Sequence, residues 1–134
     1  MAVTVERTKK LDLVAAMDWF LFPADDHYPV QIAQWWLAYR DGYLAGYCGA
    51  RMIGDDAYLC RAGVLNGHRG HGIQRKLIAA RVRWAMRQGA TRVISDTAPW
   101  NVSSSNNLIR CGFTTYAPQE EWREVAIYWE RALL

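Results

Sequence analysis

The chain holds 134 residues, of which 51% are hydrophobic and 22% charged, and carries a net charge of +3. That length fits one compact domain rather than two, and a chain of roughly this size buries about two thirds of its unfolded surface, enough for a core without disulfide or metal staples. The composition excludes wholesale disorder, no apolar run nears the roughly 20 residues of a membrane span, and the charge surplus falls short of a dedicated nucleic-acid binder.

Residues 1–10 alternate polar and apolar side chains and include Glu6, Arg7, Lys9 and Lys10. This is unlike a secretory leader, so a cytoplasmic location is expected. Within it residues 3–7 predict a short strand, and Leu11, Val14, Ala15 and Trp19 recur at helical spacing over residues 11–20. Pro23 and Pro29 then bracket Asp25, Asp26, His27 and Tyr28, which predicts a polar, surface-facing loop or short helix. Residues 34–40 and 43–52 flank Asp41-Gly42, the pattern of a β-hairpin. Trp35 and Trp36 adjoin on its first strand and face opposite sides, which predicts one in the core and one on a cleft or partner-facing surface.

A turn at Gly54-Asp55-Asp56 leads into a strand over residues 57–65, where Gly63 marks a bulge or a close backbone approach. After the glycine-rich segment 66–72, residues 73–88 predict a helix with Ile73, Leu77, Ala80 and Trp84 on one stripe and Gly89 as its left-handed cap. Arg75, Lys76, Arg83 and Arg87 recur along it, and they read as a solvated face rather than a nucleic-acid surface. A strand at 92–95, a helix at 101–110 ending near Gly112, and strands at 113–116 and 125–130 complete the order. This is a mixed sheet with helices, an α+β arrangement within the α/β class, and not a doubly wound nucleotide fold. The three cysteines, Cys48, Cys60 and Cys111, are odd in number and widely spaced, so they read as reduced thiols, without a metal site.

The densest local signal is Asn66-Gly67-His68-Arg69-Gly70-His71-Gly72-Ile73-Gln74-Arg75, where a strand hands over to a long helix. Three glycines in six residues allow tight turns, and the helix start aims free N–H groups and a positive dipole end at one spot. Arg69 and Arg75 add planar donor forks suited to phosphate oxygens. A ligand with a pyrophosphate fits; a merely structural turn with solvated arginines is the alternative. A P-loop is excluded, because no Gly-Lys followed by Ser or Thr occurs. A dinucleotide fingerprint lacks its third glycine, although Asp96 imitates its ribose-binding acid.

Residues 64–78 resemble the acetyl-CoA-binding motif of the GNAT N-acetyltransferase superfamily, Val-x-Pro followed by Arg/Gln-x-x-Gly-x-Gly/Ala ahead of an apolar helix. Arg69 and Gly72 match, while Asn66 stands where Pro is common and Gln74 where Gly or Ala is usual. Asn101, Ser104, Leu108 and Cys111-Gly112-Phe113 are similar to the family's second signature, in the right order and at the right separation. The resemblance covers most of the chain from about Tyr43 onward. It implies a single acetyl-CoA-binding N-acetyltransferase domain over residues 1–134, with a mostly antiparallel sheet of about six or seven strands, flanked by helices and splayed between strands 4 and 5.

It further implies pyrophosphate on the backbone of Arg69, Gly70, His71, Gly72, Ile73 and Gln74, pantetheine along Val64 and Leu65, and Asn101 and Ser104 on the opposite wall. Acetyl would pass directly from acetyl-CoA, the acyl-donor cosubstrate, to an amine-bearing acceptor whose identity the residues do not reveal. Such an amine is almost wholly protonated at neutral pH, so a base is needed. Asp25, Asp26 and Asp96 are the candidate bases, with a solvated turn and a helix cap as their structural alternatives. A Tyr often protonates the leaving thiolate in this family; Leu108 takes its place here, leaving Tyr116, Ser105 or water. His27, Tyr28, Trp100 and Trp122 are the expected acceptor-side residues. Members of the family commonly pair, and the strand at 125–130 would mediate a homodimer; no membrane or nucleic-acid partner is expected. A catalytically weak acyl-CoA sensor and a nucleic-acid-binding domain are the competing readings.

Overall fold

In the computed structural model, which describes residues 2–133, β1 (Val3–Thr8) opens the chain and lies at one edge of a seven-stranded sheet ordered β1-β2-β3-β4-β5-β7-β6. Helix α1 (Leu11–Leu21) follows, then a single 3-10 turn (Val30–Ile32), and then β2 (Gln34–Arg40), β3 (Tyr43–Ile53) and β4 (Asp56–Val64) as an antiparallel meander. The β2–β3 turn is tight because Asp41 (φ 52°) and Gly42 (φ 84°) both sit in the left-handed region, the twist that suits a two-residue hairpin.

A second 3-10 turn (Asn66–His68) and helix α2 (Ile73–Arg87) carry the chain to β5 (Arg92–Thr97), which runs parallel to β4. Gly89 ends α2 at φ 76°, and the Ala90 N–H closes back on the Ala85 carbonyl. Helix α3 (Val102–Arg110) is capped by Asn101, whose Oδ1 accepts the Ser104 N–H at 3.2 Å. The chain ends through β6 (Thr114–Thr115) and β7 (Ile127–Ala132), paired antiparallel; β6 is shorter than the alternation at 113–116 predicts because Phe113 is buried in the core instead.

Both faces of the sheet are covered. Helices α2 and α3 bury Leu77, Ile78, Trp84 and Leu108 against Trp36, Cys48, Ala57, Val93 and Trp129 on one face. Helix α1 buries Val14 and Met17 against Trp35, Leu37 and Tyr47 on the other. Trp35 and Trp36 do face opposite sides, yet both are at most 3% exposed, so neither serves as a surface. The expectation fails because a sheet covered on both faces has two interiors. The Trp35 ring lies flat on Gly49, where a Cβ would stand 2.6 Å from it, so glycine is required there for close approach.

The β-bulge falls at Cys60 and Arg61, not at Gly63. Cys48 pairs with Ala62 and Ala50 with Leu59, so the two residues between them on β4 oppose Gly49 alone. Gly63 stays in register with Tyr47, and it admits the close approach of Leu21 and the Tyr47 ring, which an added Cβ would meet at 2.7 and 2.9 Å.

β4 and β5 pair only through Asp56–Arg92, Ala57–Val93 and Tyr58–Ile94. Beyond these the two strands separate. The split between strands 4 and 5 is therefore real.

Candidate active site at the split between two parallel strands

Two cavities open where β4 and β5 part. The first, of about 610 Å³, is lined by the glycine loop and the start of α2, including Val64, Arg69, Gly70, Gly72, Ile73 and Gln74. Gly70 (φ 81°) and Gly72 (φ 73°) bring the backbone round in left-handed turns, and no side chain caps the first N–H groups of α2. The start of α2 edges the cavity through Gly72, Ile73 and Gln74, and uncapped donors with the positive end of a helix dipole suit an anion. The Arg69 Nε folds back on the Val64 carbonyl at 3.3 Å, and the Arg40 Nε donates to His68 Nδ1 at 2.9 Å, which braces the loop from β2. Asn101 and Ser104 also line this cavity. Leu65 packs into the α1-side core and His71 is exposed, so neither side chain lines this cavity.

The second cavity, of about 650 Å³, lies on the other side of the split between the 22–29 loop and the α2–α3 layer. Asp25, Asp26, Tyr28, Asp96 and Trp100 all line it. The two cavities share Phe22, Ala62, Gln74, Asn101, Ser104 and Asn107, so they meet as one passage through the split.

The charges around that passage are closely arranged. Asp18 of α1 is 2% exposed, and its Oδ1 accepts the Tyr47 hydroxyl at 2.5 Å and faces Arg61 Nε at 3.1 Å. From the bulge, Arg61 also reaches Asp25 Oδ2 at 3.3 Å and the Asp26 carbonyl at 2.7 Å, and so ties the 22–29 loop to the sheet. Burial, reinforced by the bond to Asp18, drives the Tyr47 phenol far above its ordinary value and keeps it a donor.

Asp96 accepts three side-chain donors. Tyr58 Oη at 2.6 Å and Trp122 Nε1 at 2.7 Å share its Oδ2, while Arg123 Nη1 meets Oδ1 at 2.6 Å. Burial and the adjacent Asp96 raise the Tyr58 phenol. Asp96 does not cap α3, since Asn101 does, and through Trp122 and Arg123 it holds the 116–126 loop. Trp122 serves the same hold, edge-on to Tyr58 and Tyr128, and lines neither cavity. His27 stacks on Trp19 at 3.4 Å and also lies outside both.

Tyr116 stacks with Arg92, 5.0 Å from its ring, and borders neither cavity, so it is not placed to protonate a group leaving through the split. Leu108 lines the second cavity and is 4% exposed. Asp26 is the cavity acid whose carboxylate makes no ion pair among the described residues. No group of three His, Cys, Asp or Glu side chains is gathered there to hold a metal ion.

Arg61, Tyr58, Arg81 and Arg123 line the second cavity without having been singled out from the sequence. The signal was present for two of them: Arg61 interrupts the apolar run of β4, and Arg81 stands four residues after Leu77 on the apolar stripe of α2.

The model of the acetyltransferase (GNAT) family matches residues 8–113. The chain belongs to that family. No curated protein sequence matches it. Among solved structures, an IAA acetyltransferase from Bacillus cereus ATCC 14579 superposes with a TM-score of 0.83 at 21% identity, covering 98% of this chain and 100% of that one. An acetyltransferase from Bacillus subtilis, in complex with CoA, gives 0.82 at 14% identity, over 99% and 100% of the two chains. The ribosomal-protein-S18-alanine N-acetyltransferase from Escherichia coli gives 0.77 at 14% identity, over 98% and 94%. These likenesses are of fold. The seven-stranded mixed sheet split between β4 and β5 is the architecture the chain shares with them.

Proposed function

We propose that the protein is an acetyl-CoA-dependent N-acetyltransferase that passes acetyl directly to an amine held in the same complex. The observation that carries this reading is the meeting of two cavities at the split strands, one edged by an uncapped helix start and the other by acids. The first suits the pyrophosphate of acetyl-CoA, whose oxygens the α2 N–H groups and Arg69 would take. Pantetheine then runs along Val64 toward the shared wall of Asn101 and Ser104. The thioester reaches the junction, where the amine enters from the Asp26 side.

Asp26 attracts the protonated amine and accepts its proton, directly or through water. Asp25 is held by Arg61 and serves to fix the loop instead. With Leu108 where the family often has Tyr, the CoA thiolate leaves without a phenol beside it and takes its proton from water. Titrating acetyl-CoA into the protein in a calorimeter tests the donor half. Saturable binding is expected, weakened about tenfold in Arg69→Ala; no heat of binding to the unmutated protein overturns the reading.

A further inference from the structure

Arg81 lies on the buried stripe of α2, and only 3% of its surface is exposed. A guanidinium cannot shed its charge inside a protein. Its Nε donates to the Leu77 carbonyl at 3.2 Å and its Nη1 to the Gly49 carbonyl, opposite the bulge, at 3.1 Å. Both acceptors are neutral, and two of five N–H donors are thereby used. Among the described residues no carboxylate lies within ion-pair distance of it. Burial raises the Cys48 and Cys60 thiols, and the charge of Arg81 pulls both back, so its field reaches both.

Arg81 nevertheless borders the second cavity, together with Ile78, Ser95 and Leu108. The other cations there are matched, Arg61 by Asp18 and Asp25 and Arg123 by Asp96. What remains is one buried cation at the inner wall and one exposed carboxylate, Asp26, on the outer loop. A buried charge with donors to spare calls for an anion.

We propose that Arg81 forms a carboxylate-binding subsite of the second cavity, taking an acid group of the bound substrate through its planar donor fork. The acid group has two sources: an acceptor that carries a carboxylate as well as its amine, or the acyl chain of a dicarboxylic acyl-CoA. This inference rests on the acyl-CoA reading of the cleft.

Two arms separate the sources. In the donor arm, calorimetry compares succinyl-CoA with butyryl-CoA, which has the same chain length and no carboxylate. In the acceptor arm, CoA release from acetyl-CoA compares a panel of amino acids with their α-amides. The expected result is a preference of about tenfold or more for the acid-bearing member in one arm, collapsing toward unity in Arg81→Met and Arg81→Gln. The ratio is the readout because a general loss of stability or cofactor affinity leaves it unchanged. Arg81→Gln keeps a donor where the Arg81 Nε meets the Leu77 carbonyl and carries the comparison where Arg81→Met fails to fold. No preference in either arm overturns the proposal, as does a preference that survives both substitutions. Failure of the unmutated protein to bind acetyl-CoA overturns the parent reading instead, and is recognised by its loss in the same calorimeter.

Discussion

At 2% exposure Asp18 is met by the Tyr47 hydroxyl and Arg61. Arg61→Met preserves the packing stem but leaves that carboxylate without its counter-ion, and the loss is expected to be about 3 kcal/mol, measured by urea unfolding. A change below about 1 kcal/mol would show the pair to behave as a surface contact. The Cys48 thiol offers a second residue-scale test. Burial pushes it up to about 11 from 9.0, so between those pH values the unfolded chain has released a proton that the folded chain still holds. Stability therefore falls as pH rises through that window, by about 1.4 kcal/mol per pH unit from this thiol alone. Cys60 and Cys111, also raised by burial, act in the same direction. Urea midpoints from pH 9 to 11 are expected to fall more gently in Cys48→Ala; an unchanged slope contradicts the assignment. Roles at this scale were the least legible in the sequence. Asp96 and Trp122 read as a base and an acceptor wall, and they prove to hold each other, because a mutual bond across 26 residues leaves no trace in either residue's neighbours.

Elements were read more fully than residues, and the reason is local. The Asp41-Gly42 turn and the Gly89 cap are each set by a few adjacent residues, and both stand as expected. The bulge is set by the pairing partner instead. Nothing in Cys60-Arg61 announces that Gly49 will face both, whereas a strand glycine at 63 suggests a bulge and turns out to admit a ring. The glycine loop allows a direct test of what its backbone contributes. Gly72 has φ 73° and begins α2, so Gly72→Ala is expected to cost about 1 kcal/mol and to weaken acetyl-CoA binding. Gly67→Ala is the control, since a Cβ there meets nothing within 4 Å. Equal effects of the two on affinity would remove Gly72 from the anion site.

For the whole molecule, the order of strands and helices implied a mixed sheet, the family resemblance of the signatures at 64–78 and 101–113 implied its split, and two cavities open at that split. Both faces of the sheet are covered, and the two cavities open where β4 and β5 part, which is where the proposed reading has donor and acceptor meet. No helix among the described residues is long and apolar enough to cross a membrane. What the sequence could not show was which of the cavity's charges are matched, because Arg61, Arg81 and Arg123 reach it from three different elements or loops. The claim that both cavities serve one transfer is tested most directly by release of the CoA thiol from acetyl-CoA, followed with and without an amine panel, in the unmutated protein and in Asp26→Asn. Thiol release that requires an amine, saturates with it and falls about a hundredfold in Asp26→Asn is the predicted result. Release at the same rate with and without amine, or none with acetyl-CoA bound across a broad panel, would contradict it.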